Sequence, residues 1–525
     1  MRSRTGIPSL LFLLLLSTTA PAKVEPHRMF SENAVLQREM PVPVWGHADD
    51  GEIVTVEMQG QRLSTTATNG AWMLTLAPLT VGGPYTLTIS GADNTITHTN
   101  ILVGEVWLCA GQSNMGWGLG GSEKPEQIEK HANLPNVRLL SVAQNPQEHP
   151  RRDLDFGWGM CTPRAAYGFS AVGYYFGRDL HKALNVPVGL INSPVGGSYA
   201  HTWMPGRYLE DNPVLHPLLS FWDETLAQRV KLIEDYRAKE PELKKRYETD
   251  LAKARAEGTP EPTAPAGPDN DPTRDKRNMT GAAYNGMIRP LQPYALRGAI
   301  WYQGENDEGD ATRYRTTLPT MIRAWRETWK NLAPVDAAID NFWFLIVQLP
   351  SRAYPRSADR CHRAEMREVQ WDIGQTLPRC GTAVTIDCVN KEDPGDNHPP
   401  IKEPMGQRLA VLARARVYGE RIEHTGPVYH GMSIEGREIT VDYTHVGGGL
   451  VAHGDELTGF AIAGADMTFV DAEARIDGDQ VIVSHPDITA PIALRYAWEH
   501  YPNCTLYNKD GFPAAPFRTD RPVAP

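Results

Sequence analysis

The sequence predicts an α/β protein, a largely parallel sheet covered by helices on both faces, with a β-rich segment before it and another after it. Three observations carry this. From residue 102 to about residue 418, buried-type apolar runs alternate with amphipathic stretches, the strand–helix alternation of a parallel sheet. From residue 24 to about residue 99, and again after residue 420, the pattern changes to short alternating runs broken by turn residues, which reads as β structure. A chain of 525 residues also exceeds what one core organises, so several domains are expected.

In chain order, Arg2 and Arg4 precede an apolar run at 10–16 and then Ala20-Pro21-Ala22, the order of charge, apolar core and small residues in a secretory signal peptide. The expectation is a signal peptide at 1–22 cleaved after Ala22, and a secreted or periplasmic protein. No later stretch approaches the roughly 20 apolar residues of a membrane helix, so no membrane anchor is expected. An N-terminal β-sandwich domain is expected at 23–100. A central domain follows at 101–420, with strand-like runs at 102–109, 137–142, 186–192, 299–302, 342–348 and 383–388. Helical patterns lie at 171–184, 313–330 and 403–418. A charged stretch at 221–257 has helical spacing and is followed at 258–275 by a linker rich in Pro, Gly and acidic residues, so it reads as a protruding insertion. A C-terminal β domain is expected at 421–525.

Acidic residues number 63 against 52 Lys and Arg, a formal net charge of -11, which argues against nucleic acid as a partner because phosphate recognition rests on clustered cations. The 13 Trp point to ring-stacking surfaces as well as core. Six cysteines, at 109, 161, 361, 380, 388 and 504, show no metal-ligand spacing with His, and their spacing selects no disulfide pairing. Cys109 reads as a small buried apolar side chain. No metal and no organic cofactor is expected, and no feature sets an oligomeric state.

The chemistry-bearing signal is Gly111-Gln112-Ser113-Asn114-Met115 directly after the first strand run of the central domain. In a parallel sheet, reactive groups gather at the carboxyl ends of strands, and a serine hydroxyl there becomes a nucleophile once a base takes its proton. The base is expected in Asp396-Asn397-His398-Pro399-Pro400. The His398 imidazole titrates near neutrality and Asp396 would orient it and stabilise the imidazolium; Asp393 and Asp387 are alternatives for that acid. Oxyanion donors are expected at two further strand ends, Gly196-Gly197-Ser198 and Gln303-Gly304-Glu305-Asn306, where glycine lets backbone N–H groups approach and Gln303 or Asn306 adds an amide.

As a set these stretches resemble the SGNH hydrolase superfamily, and within it the sialate O-acetylesterase-like carbohydrate esterases. The resemblance is carried by residues 104–115, by 188–192 with Gly196-Gly197, by Tyr284-Asn285-Gly286-Met287-Ile288, by Trp301-Tyr302-Gln303-Gly304-Glu305, and by His398-Pro399 leading to Gly406-Gln407-Arg408-Leu409-Ala410. It runs from about Met29 to Asp520, including Val35-Leu36-Gln37-Arg38 and Pro516-Phe517-Arg518-Thr519-Asp520. It implies a three-layer α/β/α flavodoxin-like hydrolase domain with flanking β-sandwich domains. Position by position it implies Ser113 as nucleophile, His398 as base and Asp396 as its partner. The oxyanion hole would be formed by the Ser113 N–H, Gly196 or Gly197, and the turn holding Gln303 and Asn306. The family's turn commonly reads Gln-Gly-Glu-Ser-Asn, whereas here Glu305 is followed by Asn306-Asp307, so the amide donor stays open between Gln303 and Asn306.

The resemblance implies O-acetyl ester hydrolysis on an acetylated carbohydrate, either sialic acid or a plant cell-wall oligosaccharide of the xylan or xyloglucan type. Trp117, Tyr199, His201 and Trp203 lie near the expected catalytic stretches and are candidates to stack on or bond a sugar ring, with Glu305 ordering the loop or touching substrate. A sialic acid carboxylate would call for an Arg, with Arg289 and Arg352 as candidates. The competing readings are a noncatalytic glycan-binding protein, against which Ser113, Asp396 and His398 stand, and an esterase or lipase for non-sugar acyl groups, against which the polar, glycine-rich surroundings stand.

Overall fold

The computed structural model describes residues 23–265, 267, 276–334, 341–354 and 361–521. The signal peptide expected at 1–22, and residues 266 and 268–275 of the expected linker, lie outside the described residues.

The central sheet is built from β1 (Thr95–Gly111), β2 (Leu134–Ser141), β3 (Gly159–Cys161), β4 (Val188–Pro194), β5 (Gly298–Tyr302), β6 (Trp343–Val347) and β7 (Cys380–Ala383), side by side in the order β3-β2-β4-β1-β5-β6-β7. All neighbours run parallel except the edge strand β3, which is antiparallel to β2. Every residue of β4 and β5 is buried, so these strands show no inside–outside alternation, as expected where both faces of a sheet are covered. The order reverses around β1: the chain goes to one side with β4 and to the other with β5, and the crevice at that switch point is where ligands bind in such sheets.

The strand β1 belongs to two environments. Its first six residues alternate between exposed and half-buried, and the following eleven are all buried. The outer half pairs antiparallel with Gly82–Ser90 and the inner half parallel with β4 and β5. The change of texture that the sequence shows near residue 102 therefore falls inside one strand. One continuous hydrophobic core runs from Val24 to Ala413. The strands Glu25–Pro26, Val42–His47 and Ala71–Leu76 form a separate three-stranded sheet packed into it.

Helices α1 (Ala171–Leu184), α2 (Pro217–Glu257), α3 (Ala311–Leu332), α4 (His362–Thr376) and α5 (Glu403–Arg416) complete the framework. The Ser170 side chain accepts from the Gly173 N–H at 3.0 Å to cap α1, and Asp310 caps α3 by accepting from the Arg313 N–H at 2.9 Å, each satisfying a donor the first turn leaves unpaired. α1 and α5 approach so closely at Gly406 that a Cβ there would lie 2.8 Å from the Val172 carbonyl oxygen. Helix α2 has 41 residues and is therefore roughly 60 Å long. It is mostly exposed, and it ends at Gly258, whose φ of 65° is the left-handed conformation that closes a helix.

The run at 383–388 is not a strand: β7 ends at Ala383. Beyond it Val384 and Ile386 turn into a second core, shared with Trp371 of α4 and the C-terminal strands, so their apolar character reflects docking. That C-terminal part holds two four-stranded antiparallel sheets and a two-stranded one. It is tied to α4 by Arg518, which donates to Glu368 at 3.0 and 3.1 Å.

All six thiols are free. Burial pushes the Cys109 thiol far up from its ordinary value, in keeping with an inert apolar role. Trp107, Trp203, Trp301, Trp325 and Trp329 are fully buried, so these rings are core and not stacking surface.

Candidate active site

The reactive turn begins with Gly111, where φ is +137° and a Cβ would lie 2.1 Å from the Tyr302 carbonyl oxygen. Only glycine lets β1 and β5 run together to their ends. Ser113 then opens a single helical turn, Ser113–Gly116, half-buried at the carboxyl end of β1. The loop before α5 brings His398 to it from 285 residues away, with Nε2 2.8 Å from Ser113 Oγ. Burial, then the Lys402 ammonium, hold the imidazole below its ordinary value of 6.5, with Glu305 and Asp396 pulling the other way. At neutral pH the ring is therefore unprotonated and able to accept the serine proton.

Asp396 lies beside His398, but its Oδ1 accepts from the His398 backbone N–H at 2.7 Å, and its Oδ2 accepts from Asn390 Nδ2 at 3.3 Å. It thus shapes the loop and acts on the ring through its charge. Of the two alternatives, Asp387 is engaged elsewhere: both Arg408 nitrogens donate to it, at 2.5 and 2.7 Å, and Tyr507 Oη donates at 3.1 Å. Burial would raise the Asp387 carboxyl, but Arg408 outweighs it and holds it low. Asp393 accepts from the Gly395 N–H at 3.2 Å within an exposed turn.

Around Ser113 the expected donors separate. Gly196 sits against it, a Cβ there being 3.6 Å from Ser113 Cβ, and Gly197 follows in the left-handed conformation, φ +69°. Gln303 is fully buried. Its Nε2 donates to the Ser198 carbonyl at 3.1 Å and to Asp307 at 2.6 Å, while its Oε1 accepts from Tyr314 Oη at 3.0 Å. Both its N–H groups are spent, so Gln303 braces the turn and offers no oxyanion donor. Asn306 is half-buried, and one N–H of its Nδ2 donates to the Gly197 carbonyl, leaving the other.

The aromatic candidates separate too. Trp117 stacks on His398, with ring centroids 5.2 Å apart and planes 11° apart, so its partner is the imidazole. Trp203 is buried, donates to Ser198 Oγ at 3.0 Å and packs edge-on against Trp301; it presents no face to a ligand. Tyr199 is half-buried and stacks on His201, itself buried and pushed down to about 4 by that burial. Arg352 donates to the Gly395 carbonyl at 2.9 Å, in the loop that carries His398. Arg289 lines a different hollow, with Trp45 and Arg152. A hollow of about 1010 Å³ between Arg178, Lys182 and Arg414 holds none of the Ser113 group.

Three residues escaped the sequence reading. Asp307 is buried and pushed up to about 6 by that burial, against the pull of the Ala200 N–H and Gln303. Arg277 donates to the Gly196 carbonyl at 3.2 Å. Lys402 is fully buried and donates to Asn114. None sits in a recognisable motif.

The sequence model of a family described as "Carbohydrate esterase, sialic acid-specific acetylesterase" matches residues 103–231, the stretch that holds Ser113, Gly196 and Gly197. The sialate O-acetylesterase of Mus musculus is 29% identical over 92% of this chain and 92% of its own length, and that of Homo sapiens 27% identical over 93% and 91%. The crystal structure of a carbohydrate acetylesterase from Xanthomonas citri superposes with a TM-score of 0.76 at 32% identity, covering 95% of this chain and 99% of that one. With the serine–imidazole pair in place and agreement over nearly the whole length, the chain belongs to the sialate O-acetylesterase-like carbohydrate esterases and is a carboxylic ester hydrolase acting on acetyl esters of carbohydrates.

Proposed function

We propose that the enzyme hydrolyses O-acetyl esters by a serine mechanism, on sialic acid or on plant cell-wall oligosaccharides of the xylan or xyloglucan type. The single observation that carries the reading is the 2.8 Å contact between Ser113 Oγ and His398 Nε2 at the strand-order switch point. His398 takes the proton as Ser113 attacks the acetyl carbonyl, then returns it to the leaving sugar hydroxyl. Water assisted by His398 hydrolyses the acetyl-serine. Asp396 fixes the His398 backbone and stabilises the imidazolium by its charge. The Ser113 N–H, an N–H from Gly196 or Gly197, and the remaining N–H of Asn306 receive the negative oxygen of the tetrahedral intermediate, a contribution of about 3–4 kcal/mol per donor in such sites.

The fold supports a three-layer α/β/α SGNH reading, with helices carried by a parallel sheet and β-sandwich domains before and after it. Export by a signal peptide cleaved after Ala22 is part of the same proposal. The names of the relatives favour sialic acid, and Arg352, next to the His398 loop, is the cation that would meet its carboxylate. The test is acetate release from O-acetylated sialic acid and from acetylated xylan or xyloglucan oligosaccharides side by side, with Ser113→Ala as blank. Release from one class names the substrate; undiminished release by Ser113→Ala would remove Ser113 from the mechanism.

A further inference from the structure

A lysine with no exposure to water is costly, because an ammonium loses its hydration and regains it only through fixed partners. Lys402, at the start of α5, is such a residue. Its Nζ donates to Asn114 Oδ1 and lies 5.2 Å from the centre of the Tyr302 ring, beneath the turn that carries the nucleophile. Asn114 passes the contact on: its Nδ2 donates to Glu305 Oε1 at 2.5 Å and to the Asn397 carbonyl at 2.8 Å. One amide thus joins the residue after Ser113, the residue before His398 and the turn that holds Asn306, three segments far apart in sequence.

The charges of Glu305 and Asp396, and Cys388, favour the charged amine, and the amine in turn acts on His398, as does Arg352. Burial lowers the amine to about 7, so it carries its charge on the acid side of neutrality.

We propose that Lys402 is a positioning residue of the esterase centre: its buried amine fixes the Asn114 amide, which locks the Ser113 turn to the His398 loop and the Glu305 turn, and it sets a cation in the same network as the base. The proposal rests on the assignment of Ser113 and His398 as nucleophile and base.

It separates two effects that two variants distinguish. Lys402→Met removes charge and anchor while keeping most of the apolar stem. It is expected to lower kcat by about tenfold, the order that a small misplacement of reacting groups costs, to leave KM unchanged, and to move the acid limb of kcat/KM to higher pH. Asn114→Ala breaks the junction but leaves the charge, so kcat falls while the acid limb stays where it was. Both are measured by pH–rate profiles on an acetyl ester, with near-ultraviolet circular dichroism to check folding. Serine labelling by a fluorophosphonate is followed in parallel, and its rate is expected to fall in both variants.

Unchanged kcat and an unmoved acid limb in folded Lys402→Met would overturn the proposal. Should Lys402→Met fail to fold, a folded Asn114→Ala enzyme with the parent kcat and labelling rate would overturn it equally. Failure of the parent enzyme to label at Ser113 would instead strike the underlying assignment.

Discussion

The indole of Trp117 lies almost flat on the imidazole of His398, planes 11° apart, and its own N–H is tied to the Gly121 carbonyl at 2.7 Å. The stack restricts the imidazole to orientations that keep Nε2 toward Ser113. Such a pair contributes about 0.5–1.5 kcal/mol, so Trp117→Ala is expected to lower kcat by roughly two- to tenfold, with Trp117→Phe retaining most of it. Steady-state kinetics on an acetyl ester check this; the parent kcat in Trp117→Ala would show that the ring does not hold the base.

The pH profile carries a second prediction. His398 must be unprotonated to act, and burial with Lys402 holds it below 6.5, so the midpoint of the acid limb of kcat/KM is expected below that pH. Asp396 pulls the ring upward by its charge, and Asp396→Asn, which keeps an acceptor for the His398 backbone N–H, is expected to move the acid limb further down. A limb at or above 6.5 in the parent enzyme, or an upward move in the variant, contradicts the electrostatics described.

Asp387 and Arg408 are a structural pair. Their side chains are largely buried, at 25% and 12% exposure, and removing one partner strands the other. Arg408→Ala is expected to cost about 3 kcal/mol, at the low end for a buried pair, in urea unfolding, and Asp387→Asn less. Activity per folded molecule should hold. A loss of kcat larger than the loss of folded protein would return Asp387 to the list of catalytic acids.

Asp307 sets a pH dependence of stability with a definite sign. Its folded value of about 6 lies above its ordinary 3.8, so between those values the folded protein binds more protons than the unfolded chain. Its contribution is fully present below 3.8 and is lost as pH rises through 6. Asp307→Asn keeps an acceptor for Ala200 and Gln303 and removes the charge. The variant is expected to gain stability relative to the parent at pH 7 and to show no such gain near pH 4, read from urea midpoints. Equal shifts at both pH values would show that burial does not govern this carboxyl.

The strands and helices that place Ser113 were legible because a buried parallel sheet writes continuous apolar runs, and helix α1 is found at the residues its pattern marks, Ala171–Leu184. The run at 383–388 misled because apolarity records burial and not conformation; Val384 and Ile386 are buried in another core. At the site, Ser113 and His398 sit in recognisable stretches. Trp203 and Gln303 stand in the sequence only as candidates, because sequence proximity says nothing of side-chain direction, and both point inward to Ser198. Lys402 was invisible in that role, since a buried lysine and an exposed one are written with the same letter.

The strand Thr95–Gly111 behaves mechanically as a beam clamped at both ends, one end in an antiparallel sheet and the other in the parallel one. Ser113 hangs two residues beyond its tip. Cutting the chain at residue 100, where composition invites a scissor, would turn that beam into a cantilever with a free root, and the stiffness with which the hydroxyl is presented would then depend on β4 and β5 alone. A minimal catalytic fragment of this enzyme must therefore begin no later than Val24, the first residue of the continuous core, and not at the first residue of the hydrolase pattern.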